Sequence, residues 1–121
     1  GGSIINIGSI YGQVSSDKRI YGDSKRNNSE VYSATKAGII QFTKYLATHW
    51  AEYNIRVNCI SPGGIFNNQK EFFVKNYINK VPLGRMANVT DINGALIFLA
   101  SDASKYVTGQ NLTIDGGFTI W

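Results

Sequence analysis

The sequence is short of the residues that staple a fold or cluster around a metal. Its 121 residues include one cysteine, Cys59, one histidine, His49, and two prolines. A lone cysteine excludes an intrachain disulfide framework and a cysteine metal cluster. A lone histidine argues against a histidine-built zinc centre, so no metal site is expected. Long apolar runs are also missing. The longest, Ala95–Ala100, is far too short to cross a bilayer. No charged stretch leading into an apolar core opens the chain, so no secretory signal is visible. These absences fit a cytoplasmic protein without a membrane partner.

What is present suits one globular domain. Hydrophobic residues make up 43% and charged residues 17%, enough apolar side chain to build a core and too little charge for a disordered chain. The 13 glycines follow no collagen-like period and point to tight turns and close backbone approaches. The net charge of +4 arises from 12 basic and 8 acidic residues. The densest basic cluster, Lys18, Arg19, Lys25 and Arg26, is broken by Asp17 and Asp23 and has the character of a solvated loop. A nucleic-acid surface would need a longer basic stripe with interleaved aromatics. No nucleic-acid partner is expected.

No internal repeat is visible. The isoleucine-rich run Ser3–Gly8 reads as a buried strand. Tyr11–Ser29 is polar and aperiodic, a loop long enough to be functional. Asn27 followed by Glu30 suggests a capping box opening a helix that runs to about Ala51. Val31, Ala34, Gly38, Phe42, Tyr45 and His49 recur at helical steps and predict its buried stripe. Ile55–Ile60 reads as a second strand, stopped by Ser61-Pro62-Gly63-Gly64. Asn67–Val81 reads as an amphipathic helix with Phe73, Tyr77 and Val81 on one face. Thr90 and Asp91 suggest an N-cap and acidic first turn for a helix over Asp91–Ser101. Asn111–Asp115 is a last strand, after which Gly116-Gly117 turns the chain.

Strands separated by helices imply parallel β-α-β crossovers and an α/β sheet. Three strands are few for a doubly wound sheet. The first begins at residue 3, with nothing before it to cover its edge. The pattern predicts the second half of a larger α/β domain.

Three places carry candidate chemistry. Tyr32 and Lys36 lie four apart in Tyr32-Ser33-Ala34-Thr35-Lys36, on one helix face. An ammonium near a phenol favours the phenolate, and a tyrosine so tuned can act as a general acid or base. Ser9 directly follows the first strand, and ligands of parallel sheets bind beyond the carboxyl ends of strands. Alone, Ser9 reads first as a turn-forming serine beside glycine. It is no hydrolase nucleophile, because Gly8-Ser9-Ile10-Tyr11-Gly12 lacks the G-x-S-x-G spacing. Pro62, Gly63 and Gly64 follow the second strand, where glycines let backbone approach a planar ligand. No Gly-Lys-Ser/Thr follows, so this is not a Walker loop.

In this order the motifs closely resemble the short-chain dehydrogenase/reductase family. The resemblance rests on Gly1–Ser9 (GGSIINIGS), Tyr32–Ile39 (YSATKAGI), Asn54–Ile65 (NIRVNCISPGGI), Pro82–Met86 (PLGRM), Asp91–Leu112 and Ile114–Gly117 (IDGG). It implies the C-terminal half of a Rossmann-type doubly wound parallel sheet in three α/β/α layers. Residues 1–121 would be the substrate-side and catalytic half of a single NAD(P)-binding domain.

The implied activity is hydride transfer between an alcohol or carbonyl and NAD or NADP. The implied catalytic residues are Ser9, Tyr32 and Lys36. Tyr32 would be the acid/base, Lys36 would favour its phenolate and reach the nicotinamide ribose, and Ser9 would hold the substrate oxygen. Tyr32, Lys36, Pro62, Gly63, Ile65 and Asn67 would form the cofactor-binding set. Asn67 stands where the family usually has a threonine against the nicotinamide carboxamide.

Two departures qualify the resemblance. The glycine-rich dinucleotide motif and a catalytic asparagine of the family are absent, so the 121 residues alone are expected to be inactive. Residues 10–31 separate Ser9 from Tyr32, more than is common. The extra segment, Val14–Asn28, is expected to favour a polar, anionic or sugar-like substrate. With ISPGGIFNNQ it resembles the flagellin-modification and surface-sugar subgroup. Phe72, Phe73, Tyr77 and Ile78 read either as a lid over the substrate or as core. Cys59 reads as a small core residue and His49 as a surface or interface residue. The family's homo-oligomers pack the helix bearing Phe42, Tyr45, Leu46 and Trp50 against a partner. The competing expectation is therefore a self-associating, non-catalytic module.

Overall fold

Three parallel strands form one sheet in the order β1-β2-β3. The computed structural model describes residues 1–121. β1 spans Gly2–Ile7, β2 Ile55–Pro62 and β3 Asn111–Ile114. β1 runs beside β2 from Gly2 opposite Ile55 to Ile7 opposite Ile60, and β2 beside β3 from Cys59 opposite Asn111 to Pro62 opposite Ile114. The α/β class expected from alternating strands and helices is the one observed. β2 runs two residues past Ile60 and ends at Pro62, within the expected Ser61-Pro62-Gly63-Gly64 stop.

Between β1 and β2 runs α1, Glu30–His49. Its cap is Ser29, whose hydroxyl accepts the Val31 N–H at 3.2 Å. The expected Asn27/Glu30 box does not form, because the Asn27 side chain instead accepts from Asn28 N–H and the Ser16 hydroxyl. The expected buried stripe is also corrected. Val31, Phe42 and Tyr45 are exposed, while Thr43, Leu46 and Ala47 are buried. Polar Thr43 faces inward because its hydroxyl donates to Ile39 O and accepts from Asn6 Nδ2. A helix whose buried face includes satisfied polar groups hides its orientation from a hydrophobic count.

α2 is shorter than expected, Glu71–Ile78, and α3 spans Asn93–Ala100 after a 3₁₀ turn at Val89–Ile92. That turn is entered at Asn88, not Thr90, with the Asn88 N–H held by Asp91 Oδ2 at 2.7 Å. The expected loop Tyr11–Ser29 contains two 3₁₀ segments, Ile10–Gly12 and Lys18–Ser24. The closing turn forms as expected. Asp115 carboxylate oxygens accept from Gly117 and Thr119 N–H, and Gly116 and Gly117 take φ of 64° and 92°, values that favour glycine.

The buried residues fall into two clusters. One joins Leu46, Ala47 and Val57 beneath α1. The other gathers Ile10, Ile20, Tyr77, Val81, Met86 and Phe118 around the loops that follow the strands. Cys59, fully buried on the central strand, is the small core residue expected. No helix is long and apolar enough to cross a membrane.

Candidate active site

The site begins where β1 ends. Gly8 continues the ladder, its N–H donating to Ile60 O at 2.8 Å. A side chain there would meet Ser61 Oγ at 2.7 Å, so glycine lets β1 lie close to β2. Ser9 follows in extended backbone and opens the 3₁₀ turn Ile10–Gly12. Its Oγ accepts the Tyr11 N–H at 3.1 Å, its carbonyl accepts the Gly12 N–H, and the side chain is almost fully buried. The hydroxyl thus spends a lone pair on its own turn. Its proton has no acceptor in the protein and remains available to another oxygen.

The Ser9 turn is pressed against α1. A Cβ on Gly12 would lie 2.7 Å from the Lys36 carbonyl carbon and 2.8 Å from its oxygen, so this approach needs glycine. From the same helical turn, Lys36 Nζ donates to Ile7 O at 3.0 Å. Tyr32, one turn earlier, has the Lys36 ammonium 5.6 Å from its ring centroid, and its hydroxyl makes no hydrogen bond in the chain. Tyr32 is 41% exposed, which leaves the phenol open to a ligand. Helix geometry brings Tyr32 and Lys36 together as the four-residue spacing predicts. Lys36 ties that pair to the end of β1, where Ser9 sits. Ser9 and Tyr32 share no direct bond.

The second strand end supplies the other wall. Gly63 N–H continues the ladder to Ile114 O at 2.9 Å, and Gly64 pairs with Ala87 through its carbonyl. Gly64 N–H donates to the Tyr77 hydroxyl. Tyr77 is 3% exposed, and burial raises its pKa, with the Gly64 bond acting in the opposite sense. Tyr77 is therefore core and anchors the glycine segment, a role that its place on an apolar helix face does not signal. Phe73 is half-buried against Tyr21, ring centroids 5.3 Å apart, and Phe72 is exposed.

Beyond Gly64 the chain bends through Asn68 in the left-handed region, φ 54°. The Gln69 side-chain amide closes this bend, donating to Ile65 O at 2.9 Å and accepting from Asn67 N–H at 2.7 Å. The Asn67 side chain and the Ile65 N–H remain unpaired. Gln69 was not foreseen; only its proximity to two glycines and two asparagines hinted at a side chain serving the backbone.

The long segment before α1 is also pinned. Asp17 pairs with Arg19 at 2.7 Å and Lys80 at 3.1 Å. Hydrogen bonds from Arg19, more than from Lys80, hold its carboxyl well below the usual carboxylate range. Ile20 is buried, so the segment packs as part of the second cluster. His49 lies exposed at the end of α1, its Nδ1 2.8 Å from Tyr45 O and its ring stacked on Tyr45.

A serine with an available proton, an ammonium-flanked phenol and a glycine-lined strand end share the carboxyl edge of a parallel sheet, the part of such sheets that binds ligands. The family model described as Enoyl-(Acyl carrier protein) reductase matches residues 1–119. The chain belongs to this family, the short-chain dehydrogenases/reductases. It is 62% identical to a short chain dehydrogenase from Leptospira borgpetersenii solved with bound NAD+, with a TM-score of 0.92 over 98% of this chain and 44% of that one. A gluconate 5-dehydrogenase from Burkholderia cenocepacia, solved with NADP and tartrate, is 33% identical, with a TM-score of 0.86 over 99% of this chain and 46% of that one. The NADH-dependent L-xylulose reductase of Ambrosiozyma monospora is 38% identical over 100% of this chain and 44% of its own length. The chain thus spans less than half the length of the relatives it matches.

Proposed function

We propose that residues 1–121 are the C-terminal, substrate-side and catalytic half of a single NAD(P)-binding Rossmann-like domain. The complete protein is an oxidoreductase that interconverts an alcohol and a carbonyl. The observation that carries this is the placement of Lys36, bonded to Ile7 O and set over the Tyr32 ring. In this reading the unpaired Tyr32 hydroxyl gives or takes the proton of the substrate oxygen, and the Ser9 hydroxyl donates a hydrogen bond to that same oxygen and keeps its own proton. Lys36 is fixed by one hydrogen bond and keeps two ammonium protons. It lies over the Tyr32 ring and reaches a ribose hydroxyl.

The residues fit the nicotinamide end of NAD or NADP. The Ile65 N–H and the Asn67 amide are unpaired at a glycine-lined edge, and Pro62 and Gly63 bring the backbone close. When bound, the cofactor supplies or accepts the hydride. The spaced-glycine dinucleotide motif is absent from the chain, so these 121 residues alone turn over no substrate. Two of the named relatives, the L-xylulose reductase and the gluconate 5-dehydrogenase, carry the names of small polyhydroxylated substrates, which supports a sugar or other polar alcohol or ketone as substrate.

The test is Tyr32→Phe in the full-length protein. Tyr32 is exposed and its hydroxyl unbonded, so the fold is retained. Turnover falls about 10²–10⁴-fold, the usual contribution of a positioned acid/base. Unchanged turnover rejects the assignment.

The exposed Val31, Phe42 and Tyr45 on α1 support a homo-oligomer. Light scattering of the full-length protein checks it, with a mass above one subunit expected.

A further inference from the structure

The 3₁₀ segment Lys18–Ser24 faces the start of α2 across an open groove of about 390 Å³. Its walls carry two cations, Arg26 and Lys70, and three aromatic rings, Tyr21, Phe72 and Phe73. No carboxylate lines it.

Five other cations of the chain have partners, and the remaining five, Lys18, Lys25, Lys44, Lys75 and Lys105, do not line this groove. Arg19 and Lys80 pair with Asp17, Arg85 pairs with Asp91, Lys36 donates to Ile7 O, and Arg56 donates to main-chain carbonyls. Arg26 and Lys70 make no ion pair and no side-chain hydrogen bond. The groove therefore presents uncompensated positive charge between apolar faces, a setting that favours an anion on a small molecule.

The groove is preformed. Gly22 takes φ 56°, and a side chain there would lie 3.1 Å from the Phe72 ring, so glycine lets the turn rest on that ring. Asn68 on the facing wall is held in the left-handed region, and its side chain has no partner. Binding then spends little on ordering the walls. Both walls continue along the chain into the elements of the candidate active site. Arg26 precedes the Ser29 cap of the helix that carries Tyr32, and Asn68 follows the Ile65–Asn67 segment.

We propose that this groove seats the carboxylate of a small polyhydroxylated substrate, with Arg26 and Lys70 as its specificity-determining cations. A guanidinium can meet a carboxylate with two parallel N–H bonds. The ammonium adds a second charge from the opposite wall, the Asn68 amide serves hydroxyls, and the rings cover the carbon chain. This rests on the oxidoreductase assignment and names the class of substrate it takes.

The experiment titrates the full-length protein with sodium gluconate, neutral D-arabinitol and glucose 6-phosphate by calorimetry, alongside turnover with NAD and NADP. Arg26→Gln and Lys70→Gln alter exposed, unpaired side chains, and circular dichroism checks the fold. Each substitution is expected to weaken gluconate about tenfold in Kd and KM, leave kcat within twofold and leave D-arabinitol unchanged. Added sodium chloride weakens gluconate in the parent and less in the variants. The inference is overturned if gluconate affinity survives both substitutions, if the neutral polyol is weakened equally, or if glucose 6-phosphate binds while gluconate does not. Oxidation of D-arabinitol without gluconate binding rejects the groove alone. Full activity in Tyr32→Phe rejects the chemistry alone.

Discussion

Lys36 reaches across from α1 to the last carbonyl of β1, its Nζ 3.0 Å from Ile7 O. One bond therefore sets both the position of the ammonium relative to Tyr32 and the seating of the helix on the strand end. Lys36→Met keeps the stem and removes the charge. Stability should fall by ~1.5–3 kcal/mol, the net worth of a bond from a charged group. Turnover of the full-length protein should fall by far more than that loss explains. Thermal melts and kcat measured together check it, and a parallel small loss in both would give Lys36 a packing role only.

The contact between Gly12 and the Lys36 backbone predicts a sharper effect from a smaller change. In Gly12→Ala the new methyl would meet main-chain atoms at 2.7–2.8 Å, and neither a strand-end turn nor a helix backbone yields easily. The substitution should cost ~1–3 kcal/mol, as overpacking does, and should displace the Ser9 turn from α1. Denaturant melts and amide shifts of residues 9–12 report the two effects.

Tyr77→Phe isolates a single oxygen. The ring stays in the core, stacked 4.8 Å from Phe118, while the Gly64 N–H loses its acceptor. Destabilisation of ~1–3 kcal/mol is expected, the cost of an orphaned inner donor. Amide exchange at Gly64 should accelerate more than exchange in α3. The parent should also lose stability in alkali. The Tyr77 pKa is raised in the fold, so its contribution is complete below the unfolded value of about 10 and fades as pH climbs past it. The variant lacks the Tyr77 share of this loss and keeps that of Tyr11, whose pKa burial also raises.

Asp17 predicts the acid side. Its carboxyl lies below the ordinary value in the fold, so its contribution is complete above the unfolded pKa of about 3.9 and fades as pH drops below it. Asp17→Asn should flatten that acid limb and loosen residues 17–24 at neutral pH. Proteolysis rates of the segment, followed from pH 7 to pH 3, check both.

Particular residues show what could be read from the letters. β1, β2 and β3 were legible as short β-branched runs, and Tyr32 with Lys36 as a helical pair, because each signal is local. The face of α1 was not. Thr43 is buried through bonds to Ile39 and Asn6, while Phe42 and Tyr45 stay exposed, so hydrophobicity pointed the wrong way. Gln69 and Tyr77 serve backbone groups made available only by the fold's bends, and nothing in their neighbourhood of sequence marks that service. The Val14–Asn28 segment lacked periodicity because 3₁₀ turns and a shared carboxylate order it.

Arg56 has a consequence for how this architecture comes apart. From β2 its guanidinium donates to Leu99 O and Ser101 O at the end of α3, and to Ser104 Oγ and Val107 O beyond it. A single planar cation thus rivets the central strand to the corner that delivers β3. Fraying of that corner cannot proceed piecemeal, since releasing any one acceptor misaligns the fork for the rest. The strand and the corner should open as one cooperative unit in hydrogen exchange, while the exposed start of α1 breathes independently.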